Sequence, residues 1–320
     1  MLKASVVIPV YNNADIVKKA LDSFAHQSVG DDLFEIIIVN DNSTDNFSQI
    51  LLSSVSLNIT VINNNMRRGA AFSRNRGMDV ARGQVLIFCD GDTVPHREFI
   101  EQHIKIHEQL SANNIVVIGR VVNPPDMTVT PLMELGNVTK TWDYISIEQI
   151  DPEDWSLFRT TNASLKRRFA DIRFNETLFE GSGMEDTEFA FRLYKKGMKI
   201  AYNPQAISYH YHFRTPKEYE EKSFRYGKLF AQWIKSCDEE TAKELNKRFN
   251  YLIDTDNIVS LYNFREIIRR MVINDLSAPL IRLLARTFIH LNEDISVFLY
   301  NKLYKYLFLK GYKQGLKDAS

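Results

Sequence analysis

Short, almost unbroken apolar runs alternate with amphipathic stretches through the first 122 positions. "SVVIPV" is β-branched and apolar and ends in "YNN". "ADIVKKALDSFAHQS" spaces Ile16, Val17, Ala20, Leu21 and Phe24 along one side of a helix. "LFEIIIVN" and "LNITVIN" are strands, with "DNSTDN" between them as a turn or helix start. "GAAFSRNRGMDVA" predicts a helix despite its internal glycine, and "GQVLIFCD" the strand after it. "PHREFIEQHIKIHEQL" predicts a helix opened by proline, and "NIVVIGRVV" one more strand. Strands apolar throughout and separated by helices are buried on both faces. The pattern therefore predicts an α/β fold with a mostly parallel sheet flanked by helices.

Such a sheet places ligands beyond the carboxyl ends of its strands. Polar residues fall there: Tyr11 and Asn12 after the first strand, Asp41 after the second, Asn63 to Asn65 after the third, Asp90 and Asp92 after the fourth. No Gly-x-Gly-x-x-Gly follows the first strand and no P-loop occurs, which argues against a dinucleotide fold and a P-loop nucleotidase.

Three stretches carry candidate chemistry. In "FCDGDTVP" two carboxylates flank Gly91, which permits a tight turn and close approach of a ligand. Two like charges so close favour a divalent cation, and oxygen ligands suit Mg²⁺ or Mn²⁺. An ordinary strand-end turn is the plain alternative. In "NNNMRRGAAFSRNRG" Arg68 and Arg74 are the candidates to grip phosphate, while Arg67 and Arg76 face solvent. In "GMEDTEFAFRLYKKG" Glu185, Asp186 and Glu188 occupy a first helical turn, where the dipole stabilises anions, and Gly197 stops the helix. Beyond it "ISYHYHFRTP" sets His210 and His212 on one face of an extended segment, which makes one of them a candidate metal contact.

Composition narrows the field. The 320 residues carry 40 basic and 40 acidic side chains, so no basic surplus supports a nucleic-acid binder. Cys89 and Cys237 make neither a disulfide scaffold nor a zinc cluster, and are expected reduced and buried, as in a cytoplasmic protein. The start reads as a first strand rather than a signal peptide, and no apolar run is long enough to span a membrane.

The ordered set "VVIPVYNN", "EIIIVNDNSTDN", "RRGAAFSRNRGMDVARGQVLIFCDGDTVP", "NASLKRR" and "LFEGSGMEDTEFAFRLYKKG" resembles family 2 of the inverting, nucleotide-sugar-dependent glycosyltransferases, across roughly residues 4–213. The resemblance implies a GT-A fold, a UDP-sugar donor with Mn²⁺ or Mg²⁺, and a glycan, lipid-linked or protein acceptor. It implies that Tyr11 and Asp41, in a donor site with Pro9, Asn12, Asn64, Arg68, Arg74, Asp90 and Gly91, hold the nucleotide. Asp90 and Asp92 match the metal-binding Asp-x-Asp, Asp186 the catalytic base, and His210, with His212 in reserve, a metal or diphosphate contact. Glu185 orients the base, binds acceptor hydroxyls, or forms a structural salt bridge. The second strand ends "VNDNS" where many members have two acids and a glycine, so the base-binding role there rests on Asp41.

The domains expected are 1–215, split into a nucleotide-sugar half (1–122) and an acceptor half (123–215), and a helical region 216–320. The acceptor half opens on a proline-rich stretch with Trp142 and Trp155, read as core residues or as plates for sugar rings. Its "NVT" triplet matches a glycosylation site but carries no weight without an export signal. The helical region is expected to break near Pro279 and at Gly311. Leu280, Leu283, Leu284, Thr287, Phe288 and Leu291 form one face beside Arg282 and Arg286, and five lysines follow Asn301. That face suits packing inward, a homo-oligomer, or peripheral contact with an anionic membrane on its inner side. Two rival functions remain at this level: a non-catalytic nucleotide-sugar or glycan-binding module, and a sugar nucleotidyltransferase. The second needs a glycine- and lysine-rich triphosphate loop near the first strand, where "YNNADIV" stands instead.

Overall fold

The β-branched runs form strands and the amphipathic runs cover them, as their periods require. The computed structural model describes residues 1–47, 57–134, 150–179, 183–213, 215–253, 273–288 and 291–318. Trp142 and the "NVT" triplet lie outside them. The chain divides into two units, Met1–Thr128 with Val138–His212, and Val129–Asn137 with Phe213–Ser320.

The first unit runs β1 (Ala4–Val10), α1 (Ala14–Phe24), β2 (Phe34–Asn40), β3 (Ile59–Asn63), α2 (Ala70–Val80), β4 (Val85–Cys89), β5 (Thr93–Pro95), α3 (Phe99–Gln109), β6 (Ile115–Val122), β7 (Asn162–Lys166), α4 (Glu185–Lys195) and β8 (Lys199–His210). The sheet order is β3-β2-β1-β4-β7-β6-β8-β5. Four of the seven pairings are parallel, so the mostly parallel expectation holds, with β7 running antiparallel between β4 and β6. Every residue of β2 is buried: its apolar side chains as their run requires, and with them Asn40 and Glu35, the latter held by Ser5 and Arg82. α1 buries Val17, Ala20, Leu21 and Phe24 as its spacing predicts, against Val6, Ile8, Ile36 and Ile38. The helix expected from Pro95 begins at Phe99 instead. Pro95 closes β5, a three-residue strand paired antiparallel to β8. A proline tolerated at an edge strand is as consistent with the local sequence as one opening a helix.

A buried polar network holds α3 to the sheet. His103 and His107, one turn apart, both meet Ser164 Oγ, at 2.8 and 2.9 Å, and His103 also meets Asn162 Oδ1 at 2.9 Å. Burial pushes the His103 pKa down to about 4. Burial, then His103 and Lys166, push His107 down to about 3. Both rings are thus neutral when folded, whereas an unfolded chain takes up protons near pH 6.5. The stabilisation is complete above that value and is lost as pH falls toward 4. We expect the urea midpoint to drop steeply from pH 7 to pH 5, and the drop to flatten in His103→Gln. An unchanged slope in that variant would remove the histidine pair as its cause.

The second unit contains α5 (Pro216–Ser236), α6 (Glu239–Arg248), α7 (Ala278–Phe288) and α8 (Glu293–Asp318). Thr215 and Glu218 form a reciprocal capping box at the start of α5, with Pro216 in the first turn. Pro279 lies in the first turn of α7, as a break there predicts. Gly311 does not break α8, which runs on to Asp318. It is glycine because Phe224's carbonyl of α5 occupies the space a Cβ needs, and Gly227 meets Phe308 in the same way. The two helices therefore touch backbone to backbone.

The apolar face read from α7 points outward: Leu280, Leu283 and Leu284 are exposed, while Ala278, Ile281 and Ala285 on the other side are buried with Tyr219, Tyr300 and Leu303. Arg282 and Arg286 are drawn to Glu220, at 2.6 and 3.5 Å. Among the described residues no helix is long and apolar enough to cross a membrane. Cys89 is buried as expected and Cys237 only half-buried, and neither forms a disulfide.

Candidate active site

The register between β5 and β8 explains the densest cluster. Thr93 pairs with His210, and Tyr211's amide donates to Asp92's carbonyl at 2.8 Å. The turn after β4 therefore lies beside the end of β8. His210 Nε2 and His212 Nδ1 each stand 3.4 Å from an oxygen of Asp92, with their rings stacked 5.1 Å apart. Burial pushes the Asp92 carboxyl upward, but His210 and then His212 hold it well below the usual carboxylate range. These three residues offer one carboxylate oxygen and two imidazole nitrogens within 4.8 Å of one another, a donor set that fits a divalent cation. Both histidines lie beside Asp92. Burial, then Asp90 and Asp92, push the nearby Cys89 thiol well up.

Asp90 faces elsewhere. Its Oδ1 accepts from Arg74 at 2.7 Å and its Oδ2 from Thr161 at 2.8 Å. Arg74 is buried and reaches a second carboxylate, Glu185 Oε1, at 3.0 Å. Its pKa is raised: burial works against the charge, but Asp90, Glu185 and Asp186 outweigh it. Arg74 therefore bridges the turn after β4 and the start of α4. Gly91 is glycine because a Cβ there would meet Pro9's carbonyl oxygen at 2.7 Å, so this turn packs against the end of β1.

α4 begins on Met184, which is left-handed (φ 67°), after Gly183 at φ 128°. A non-glycine residue held there is strained, and such strain gathers at functional sites. Glu185 is buried, accepting from Arg74 and, at 2.6 Å, from Gly183's amide. Asp186 is half-buried. Its Oδ1 accepts from Thr187's amide at 2.7 Å, and among the described residues no donor meets its Oδ2. Glu188 binds Arg192 one turn on.

At the ends of β1 to β3, Asp41 is buried and accepts from Asn64 Nδ2, Arg68's amide and Gly69's amide at 2.7 to 2.8 Å. It thereby fixes the loop leading into α2. Asn64 also accepts from Arg76 at 2.8 Å, so Arg76 is engaged rather than left to solvent. Asn12, at φ 53°, accepts from Thr44's amide at 2.8 Å. Tyr11 carries the Arg67 guanidinium 4.0 Å above its ring, while Arg68 lies over Phe72. Trp155 packs against Phe191 at 5.2 Å, in the core.

Residues 5–174 match the family described as glycosyl transferase family 2. The chain belongs to this family. It is 27% identical over 245 residues to the amylovoran biosynthesis glycosyltransferase AmsB of Erwinia amylovora, covering 72% of this chain and 77% of that one. It is 25% identical over 270 residues to the poly(ribitol-phosphate) beta-N-acetylglucosaminyltransferase TarS of Staphylococcus aureus (strain MW2), covering 78% of this chain but 45% of that one. In fold it is similar to the mannosyltransferase PcManGT from Pyrobaculum calidifontis in complex with GDP-Man and Mn²⁺ (TM-score 0.63, 15% identity, 99% of this chain and 88% of that one). It is also similar to S. aureus TarS 1-349 in complex with UDP (TM-score 0.55, 18% identity, 99% and 91%). The fold is GT-A-type, and the family is one of glycosyltransferase enzymes.

Two contacts in this candidate site escape a reading of the sequence. Thr161 reaches Asp90 because β7 pairs antiparallel with β4, with Cys89 opposite Asn162. Nothing local in "FRTTNAS" announces a partner some 70 positions earlier. Arg67 is the other, set on Tyr11 by a loop whose anchor is Asp41.

Proposed function

We propose that this glycosyltransferase is inverting and moves a hexose or N-acetylhexosamine from a UDP-sugar to a hydroxyl of a glycan, lipid-linked or protein acceptor. Asp186 is the base. The observation that carries this reading is its Oδ2, which no donor meets among the described residues, on a helix start that Glu185 and Arg74 tie to the turn bearing Asp92. Asp186 takes the proton of the acceptor hydroxyl as that oxygen bonds to the anomeric carbon. The bond from that carbon to the diphosphate breaks, and its electron pair leaves with the diphosphate. Attack opposite the leaving group inverts the anomeric centre.

Asp92, His210 and His212 would hold the divalent cation, which when bound stabilises charge on the diphosphate. Two imidazoles beside one carboxylate favour Mn²⁺ over Mg²⁺, which prefers oxygen ligands alone. Asp90 keeps Arg74 and Thr161 in place rather than binding metal. Arg68, exposed beside the loop, is the cation for the phosphates. Tyr11, Asp41 and Asn64 line the nucleoside end, with Pro9, Asn12 and Gly91 shaping its floor. Peripheral contact with a bilayer or self-association would use the outward row of Leu280, Leu283, Leu291 and Phe298.

The test is release of nucleoside diphosphate from each common nucleotide sugar with Mn²⁺, with and without chelator, alongside calorimetric donor binding. Chelator-sensitive binding and turnover of a UDP-sugar supports the proposal. Absence of metal-dependent binding for every donor would overturn it in favour of a glycan-recognition module.

A further inference from the structure

Two adjacent arginines follow β3, and they part company. Arg68 lies over Phe72, whereas the Arg67 guanidinium sits 4.0 Å above the Tyr11 ring. Among the described residues no carboxylate lies within ion-pair reach of Arg67. Its position has another source. Asp41 accepts from the amides of the next two residues, Arg68 and Gly69, and from the Asn64 side chain. The buried carboxylate thus fixes the backbone just after Arg67 and, through the Asn64 side chain, the loop before it, and so delivers its side chain to Tyr11.

Tyr11 follows β1, at the carboxyl ends of the strands where a nucleotide is expected, and it is half-buried. A planar guanidinium stacks on flat rings, and on an exposed tyrosine the attraction is weak. Arg67 is itself exposed on its loop, so it can rise from Tyr11 at little cost and settle on another planar group. A nucleobase is such a group, with a π-face on each side.

We infer that Arg67 closes over the nucleobase of the donor, which is held between the Tyr11 ring and the Arg67 guanidinium. This rests on the nucleotide-sugar reading above. Stacking of this kind contributes affinity and little choice among bases, so discrimination falls to edge contacts such as those at Asp41.

The experiment compares wild type, Arg67→Ala and Arg67→Lys by calorimetry with UDP, GDP, UMP and pyrophosphate, all with Mn²⁺. In Arg67→Ala the nucleotides that wild type binds should weaken about tenfold, equally for UDP and UMP, with pyrophosphate unchanged. Arg67→Lys should recover only part of the loss, because an ammonium does not stack. A matching loss for pyrophosphate would make Arg67 a phosphate ligand instead. Tighter nucleotide binding in Arg67→Ala would make it a plug that the base must displace. Unchanged affinity would remove it from the site. Any of these overturns the inference while leaving the donor reading intact. If wild type binds GDP and not UDP, the choice of uridine fails and the clamp is tested on GDP. If wild type binds no nucleotide, the donor reading itself fails and this inference with it.

Discussion

Replacing Arg74 with methionine is expected to destabilise the fold by about 3–5 kcal/mol, read as the shift in the urea unfolding midpoint at neutral pH. The side chain is 4% exposed and serves two carboxylates from two different elements. Methionine fills most of the same volume, so packing against Phe174 is largely kept and the loss isolates the charge. Asp90 and Glu185 would remain partly or fully buried with no cation between them, and an uncompensated buried charge costs far more than an exposed one. Arg74→Lys should recover less than half of the loss. A single ammonium on a shorter reach meets one carboxylate, where the guanidinium meets both. In a double-mutant cycle, Arg74→Met in the Glu185→Gln background should cost clearly less than in wild type, because one of the stranded charges is gone. A shift of under about 1 kcal/mol in Arg74→Met would mean that water or a neighbouring group replaces the arginine.

How much of this was legible in the sequence depends on range. β1, β2 and β4 announce themselves through unbroken apolar runs, because a strand buried on both faces needs nothing but local composition. Glu185 and Asp186 at the start of α4 are also local, since helix caps and stops sit within a few residues of what they cap. The pairing of Asp92 with both His210 and His212 is only half local. Alternation puts the two histidines on one face, but their meeting with Asp92 depends on the β5–β8 register, more than 110 positions apart. Arg74 illustrates the limit. Its residue type suggested phosphate, whereas the fold spends both of its terminal amino groups on protein carboxylates. A sequence shows a cation's charge but not which anion the chain will bring to it first. The direction of the α7 stripe, left open between inward packing, a homo-oligomer and a membrane, was out of reach for a related reason. Periodicity finds an apolar stripe but not what will cover it: Ala278, Ile281 and Ala285 pack with Tyr300 and Leu303, and the leucine stripe is left outside.

Asp186→Asn should lower turnover about 100- to 10,000-fold while leaving donor affinity and the unfolding midpoint nearly unchanged. The amide keeps the shape of the carboxylate, and its oxygen can still accept from Thr187's amide, so the helix start is preserved. What disappears is a lone pair able to take a proton from the acceptor. Asp186→Glu should fall almost as far, because one added methylene displaces the oxygen by about 1 Å, and misplacement of that size is worth about 100-fold. Glu185→Gln should behave in the opposite way. Glu185 is buried against Arg74 and Gly183's amide, so its loss should appear first in stability and only then in turnover. Steady-state rates at saturating donor, beside calorimetric donor affinity and urea midpoints for the three variants, separate the two roles. If Asp186→Asn keeps more than about a tenth of wild-type turnover, the proton goes elsewhere. If Glu185→Gln then shows the pure rate loss, the neighbouring carboxylate is the base and the Arg74 bridge is what tunes it.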